Sequence, residues 1–439
     1  MSASIPASTS SAFLPLPPAK DIPVTFTASL KSWWAAGDKQ GTASEERLLR
    51  RLPFFQAEQM TSSTNDSPVI AHRERVQLAA PKHFLNTLSI KSTNPSPTAP
   101  PPAVVLHGYG AGLGFFFRNF PALAQWAGRR GTDVFAVDWL GMGRSARVPF
   151  TIKAKRDDIS GRVNEAESFF VDSLEEWRAK MGLEKMTLIA HSLGAYFSVV
   201  YALRYPTRVH KLILLSPAGV PHDPNNLSMP SRELTDEGDS RSTISASHSA
   251  VAASTGGVKQ IREEQKSIKD KESRSRRLLT YLWEEGWSPF QVVRSTLFWG
   301  PMLVGKYSSR RFSGLTEEET RDMHDYILNI TLSKGSGEYC ISHILAPYAH
   351  ARMPLVDRIA ALKLPITFIY GEHDWMDPQG GLQSLENLRK AGNHRSRMYN
   401  IPYAGHHVYL DNPAAVNELL VAELDDAGEQ LYLFAASRS

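Results

Sequence analysis

Ser192 lies in the stretch LIAHSLGAY, residues 188–196, where apolar residues lead through a polar pair into small and aromatic ones. That is the pattern of a strand turning sharply into a helix. A serine at such a turn is either a helix cap or a nucleophile. A serine hydroxyl attacks an ester only when a histidine takes its proton and an acid orients that histidine. Both partners lie downstream: YGEHDWMD carries Asp374 and Asp377, and YAGHHVYLDNP carries His406 and His407. The chain order Ser192, Asp374, His406, each after its own strand-like run, is the order of a nucleophile-elbow triad. His406, first after the flexible Gly405, is the expected base and His407 its neighbour.

AHSLG fits the elbow pattern G-x-S-x-G except at Ala190, a single methyl at a turn that needs small residues. The oxyanion of a tetrahedral intermediate needs two donors. The backbone N–H of Leu193 is one, and LHGYGAGLG offers that of Tyr109 as the other, with His107 ordering the loop. A phosphate loop is the competing reading of that segment, but no Gly-Lys-Ser/Thr follows. DWLGMGRS at 138–145 has the wrong spacing for a nucleotide loop and is expected to be a structural turn.

The elements that must position these residues are short apolar runs alternating with helical ones. Strands are expected at 103–106, 133–139, 186–191, 211–216, 366–371 and 396–401, which predicts a mostly parallel α/β sheet covered on both faces. Val163, Ala166, Phe170, Leu174 and Trp177 share one helical face, and Pro413 suits the first turn of a last helix. The sheet residues fall in two blocks, 61–216 and 365–430, separated by an insertion at 217–364 too long for a plain connection. Within it, 222–275 is polar and expected to be disordered, whereas the apolar and aromatic sequence from Leu278 predicts a helical cap. Residues 1–29 are also expected to be disordered, and 431–439 form a tail. Between 30 and 60 an aromatic pair, Trp33 and Trp34, precedes a short helix for which Thr42 and Glu45 have capping-box spacing. NPSPTAPPP at 94–102 is a stiff surface connection.

The 439 residues carry 49 Lys and Arg against 45 Asp and Glu, with no basic block of the kind that tracks nucleic acid. Cys340 is the single cysteine, which excludes an internal disulfide and a cysteine metal site and fits an intracellular, reducing setting. It is expected to be buried and inert. No run reaches the roughly 18 apolar residues of a membrane span.

The stretches HGYGAGLGFFFRNF, DWLGMGRSAR, SLEEWRAKMGLEKMTLIAHSLGAYFS, YPTRVHKLILLSPAGVP, MPLVDRI and GHHVYLDNP resemble an α/β-hydrolase subfamily. It contains fungal cardiolipin-specific deacylases, plant and yeast lysophosphatidic-acid acyltransferases, N-acyl-phosphatidylethanolamine lipase and the lipid-droplet co-activator of triglyceride lipase. The resemblance spans 101–424 apart from the polar insert. It implies a serine lipid acyl hydrolase, a phospholipase of the cardiolipin-deacylase type, with lysophosphatidic-acid acyltransferase as the alternative and a non-catalytic surface co-activator as a third reading. Ser192 stands where the co-activator branch has asparagine, which favours an enzyme. Asp374, three residues past Gly371, is the preferred acid over Asp377. The family's His-x4-Asp signature falls on His406 and Asp411, although Asp411 is equally placed to cap the last helix.

No metal or organic cofactor is implied, acyl-CoA entering only as a transferase co-substrate. The expected partners are a phospholipid or lysophospholipid and a membrane or lipid-droplet surface, mitochondrial or droplet, on which Trp33 and Trp34 would be interface anchors. Lys306, Arg310 and Arg311 could face a lipid phosphate or simply be solvated.

Overall fold

Apolar, β-branched runs form strands when both faces are covered, and the core of this protein follows that rule. The structure, a computed structural model, describes residues 16–57, 67–221, 281–283, 285–346 and 350–426. The disorder expected at 222–275, and the 431–439 tail, lie outside those residues. Strands β3 (Ala103–Leu106), β4 (Val134–Val137), β5 (Met186–His191), β6 (Val209–Leu215), β7 (Ile366–Gly371) and β8 (Ser396–Ile401) are parallel. They follow the expected runs to within two residues.

Two further strands, β1 (Val69–Gln77) and β2 (Phe84–Ser92), form an antiparallel hairpin that completes an eight-stranded sheet in the order β1-β2-β4-β3-β5-β6-β7-β8. Periodicity does not announce β2, because Asn86, Thr87 and Ser89 are buried polar residues. Each finds a partner instead: Asn86 donates to Asp138, Thr87 accepts from Trp177 and Ser89 donates to Glu74.

Helices α1 (Phe26–Ala35) and α2 (Asp38–Leu49) form the N-terminal segment. Two expectations change here. Residues 26–29 are helical, capped by the Thr25 hydroxyl, rather than disordered. Thr42 is one turn inside α2 and donates to the Asp38 carbonyl, so the capping box does not form; Glu45 is turned into the core instead.

The sheet is flanked by α3 (Phe120–Arg130), α4 (Ile159–Lys180) and α5 (Leu193–Arg204). The five expected apolar positions of α4 are fully buried, each large one worth about 1.5–3 kcal/mol. Between β6 and β7 lie α6 (Pro289–Ser295), α7 (Gly300–Arg311) and α8 (Glu317–Leu332). The last begins with a reciprocal Thr316–Glu319 capping box. Both N-terminal helices pack on this insertion: Arg47 of α2 pairs with Asp322 and Asp325, and Phe26 of α1 packs edge-on against Phe298. After β7 come α9 (Pro378–Lys390) and, past β8, α10 (Pro413–Leu424).

Candidate active site

β5 ends at His191, and Ser192 then takes φ 52°, ψ −119° before α5 begins. A non-glycine residue in that region is strained. The turn is held by Ser192 N–H donating to the Leu215 carbonyl and by its own carbonyl accepting from Ala195, Tyr196 and Ala218. The side chain makes no cap hydrogen bond. Its Oγ lies 3.0 Å from His406 Nε2, and His406 Nδ1 lies 3.1 Å from Asp374 Oδ1. The three residues chosen from chain order therefore meet, at the ends of β5, β7 and β8. Ser192 is 7% exposed and the Asp374 side chain 1%.

Asp377 caps α9 by accepting from Gln379 N–H. Asp374 is thus the acid that faces His406. Burial alone would raise its carboxyl, but His406, Ser216 and the Met376 N–H hold it below the usual aspartate value. A carboxylate can only accept, so His406 Nδ1 carries the proton and Nε2 is left to accept from the Ser192 hydroxyl.

The glycine loop after β3 is pressed against this turn. A Cβ on Gly108 would fall 2.9 Å from Ser192 Cβ, and one on Gly194 would fall 2.3 Å from the His107 carbonyl oxygen. The first N–H groups of α5, Leu193 among them, have no intrahelical acceptor, and Tyr109 follows Gly108 in the adjoining loop. His107 is buried and does order this loop: its Nε2 accepts from Trp139 N–H, and its carbonyl accepts from Trp139 Nε1. Asp138 holds the loop from below, accepting from the Leu113 and Arg144 N–H groups. Aromatic rings wall the site, with Phe290 of α6 stacked on Tyr109 at 5.3 Å and Trp375 4.9 Å from His406.

His191, whose part sequence reasoning missed, donates from Nε2 to the His406 carbonyl oxygen at 2.9 Å. His407 accepts from Arg311 Nε at its Nδ1, at 3.2 Å. Burial first, then the charge of His406 and Arg311, holds His191 well below the usual histidine value, and burial first, then Arg311, His191 and His406, does the same to His407. Their only sequence signal was adjacency to Ser192 and His406.

Asp411 does not cap the last helix. Asn412 does, accepting from Ala415 N–H. Asp411 accepts from the Gly405 N–H at 2.9 Å and from Arg311 at 2.9 Å. Arg311 is accordingly drawn inward to His407 and Asp411, whereas Lys306 and Arg310 are exposed. Trp33 is half-buried and Trp34 is 82% exposed. Both sit on α1, away from the three triad residues in the chain. Cys340 is buried, and burial pushes its thiol well above the usual value.

A strained serine between a parallel strand and a helix, backed by histidine and aspartate on later strand ends, defines an α/β-hydrolase type of site. The chain belongs to the alpha/beta hydrolase fold family, whose profile matches residues 101–413. It is 33% identical over 377 residues to the 1-acylglycerol-3-phosphate O-acyltransferase of Arabidopsis thaliana, covering 84% of this chain and 77% of that one. It is 30% identical to the (lyso)-N-acylphosphatidylethanolamine lipase of Homo sapiens, covering 74% and 79%. It is also 30% identical to the 1-acylglycerol-3-phosphate O-acyltransferase ABHD5 of Sus scrofa, covering 74% and 77%.

Proposed function

We propose that the protein is a lipid acyl-ester enzyme that works through an acyl-enzyme on Ser192 and delivers the acyl group to 1-acylglycerol 3-phosphate. The observation that carries this is the 3.0 Å approach of Ser192 Oγ to an Asp374-backed His406, in a chain similar to two proteins named as 1-acylglycerol-3-phosphate acyltransferases. This reverses the preference drawn from the sequence, where hydrolysis came first and transfer second. The relatives' names speak of 1-acylglycerol 3-phosphate and N-acylphosphatidylethanolamine, not of cardiolipin, and the proposal follows them.

In the first half-reaction the Ser192 oxygen attacks the acyl carbonyl carbon while its proton passes to His406 Nε2. Asp374 stabilises the imidazolium, and the Leu193 and Tyr109 N–H groups receive the oxyanion. Collapse breaks the bond to the leaving alcohol or thiol, which takes the proton from His406. In the second half-reaction the acceptor hydroxyl gives its proton to His406 and attacks the acyl-enzyme, and Ser192 is regenerated. Water in place of the acceptor gives hydrolysis. The human lipase relative favours that second reading.

Supplying labelled acyl-CoA with and without 1-acylglycerol 3-phosphate separates the two. Phosphatidic acid formed by the wild type and not by Ser192→Ala supports transfer; free fatty acid alone supports hydrolysis. Neither product from any acyl donor would refute the acyl-enzyme. Association with a lipid surface through α1 belongs to the same proposal. No helix among the described residues is long and apolar enough to cross a membrane.

A further inference from the structure

Four segments remote in sequence surround a cavity of roughly 680 Å³: the start of α2, the β1–β2 turn, the loop after β4, and the end of α8. None of its lining residues is Ser192, Asp374 or His406. Its lining includes Arg75, Lys82, Arg144, Arg147 and Lys334, against one carboxylate, Asp38. Such an excess of one sign in a concave site raises the local concentration of the opposite charge.

The cations are not equivalent. Arg147 is committed to the loop, donating to the Gly141 and Gly143 carbonyls. Arg144 has a side chain only 9% exposed and is held by Asp38 and Thr42, with its buried Nε 3.9 Å from the Glu45 carboxylate. Arg75 lies over the Phe84 ring and reaches Asp38 only at 3.7 Å. Lys82 and Lys334 are exposed and have no carboxylate partner among the described residues. The positive end of the α2 dipole faces the same space, because Gly37 and Asp38 line it and the N-cap has no side-chain bond.

We infer that this cavity is a second binding site, for a phosphate group. Arg75, Lys82 and Lys334 are the cations with capacity to contact the anion, Arg144 adds positive charge from behind them, and the first N–H groups of α2 complete the site. The phosphate is that of a soluble phosphate compound or of a lipid headgroup. The mouth lies beside the end of α1, where Trp34 is exposed, so an amphiphile could place its phosphate in the cavity and its tail against α1. The inference does not depend on the reaction at Ser192.

The test uses the full chain, its Lys82→Glu/Lys334→Glu double variant, and Lys180→Glu as a control for an exposed charge on α4. Binding of inorganic phosphate is measured by calorimetry, and co-sedimentation with phosphatidylcholine vesicles is measured with and without phosphatidic acid. Loss of two charge-assisted contacts is expected to weaken binding about tenfold or more in the double variant and not in Lys180→Glu. Saturable phosphate binding that behaves so supports the site with a soluble source. Phosphatidic-acid-dependent sedimentation that behaves so, without phosphate binding, supports it with a lipid source. Binding that is absent in both assays, or equally affected by Lys180→Glu, overturns it. A thermal midpoint and Ser192-dependent ester turnover unchanged in the double variant exclude misfolding.

Discussion

His191 Nε2 and the carbonyl oxygen of His406 are joined by a 2.9 Å hydrogen bond, so the residue preceding the proposed nucleophile fixes the backbone of the proposed base. His191 is held neutral by burial first and then by His406 and Arg311, which keeps a second positive charge away from His406 when that ring becomes imidazolium. In His191→Phe a ring remains but the bond is lost. A displacement of the base of less than 1 Å is enough to cost about tenfold in kcat, with KM little changed. Steady-state kinetics on a soluble p-nitrophenyl ester measures the split. A lowered thermal midpoint with kcat untouched would reduce His191 to packing.

Asp374 and Asp377 sit three residues apart with different tasks, one facing His406 and one capping α9. Asp374→Asn is expected to lower kcat about a thousandfold or more, because the amide no longer holds the correct tautomer of the histidine. Asp377→Asn keeps a good capping side chain and is expected to leave kcat within about twofold. Equal losses in both variants would contradict this division.

Much of this site was legible because elbow, acid and base each follow a strand, and the triad order is preserved along the chain. The parallel strands were legible from their apolar runs. Three things were not. The β1–β2 hairpin was hidden because β2 buries Asn86, Thr87 and Ser89, whose partners lie on β1, α4 and the loop after β4. Glu45 carried a local capping signal that tertiary packing overrode, as core burial commonly overrides propensity. Asp411 looked like a cap because it precedes Asn-Pro, but Asn412 took that role and left Asp411 to Gly405 and Arg311. A carboxylate that bonds backward to a loop and sideways to a cap helix leaves no periodic trace.

The Asp411 contacts bear on whether the His-x4-Asp signature concerns transfer or geometry. Asp411 steadies Gly405, the residue before His406, and ties it to Arg311 on α7. Asp411→Ala is therefore expected to lower hydrolysis and acyl transfer by the same factor, on the order of tenfold. Product analysis with labelled acyl donor checks it. Loss of transfer alone, with hydrolysis intact, would instead give Asp411 a part in handling the acceptor.

Trp34 projects from α1, on which Phe26 and Leu30 are also partly exposed, and Phe26 packs against the partly exposed Trp299. An exposed indole in such a patch suits an interface between water and lipid. Trp34→Ala is expected to weaken co-sedimentation with phospholipid vesicles several-fold while sparing turnover of the soluble ester. Trp33→Ala, which removes a half-buried ring, should lower the thermal midpoint as well. Unchanged vesicle binding in both would remove α1 from the proposed surface.

Glu45 gives a pH dependence whose sign is fixed. It is fully buried beside Asp138, accepting from Asn86, with Tyr326 3.4 Å away and Arg73 and Arg144 at 3.6 and 3.9 Å. Burial, then the Asp138 charge, pushes its carboxyl up from 4.5 to about 7 against the pull of Arg144, Arg73 and Asn86. The folded state thus binds a proton that the unfolded chain has already released. The stability contributed by this group is complete below 4.5 and is lost as the pH climbs through about 7. Glu45→Gln mimics the uncharged form and keeps an acceptor for Asn86. Its thermal midpoint should match the wild type near about pH 5 and exceed it by a few degrees near about pH 8. A midpoint difference that stays constant across that range, measured by differential scanning calorimetry, would show that Glu45 is ionised in the folded protein throughout.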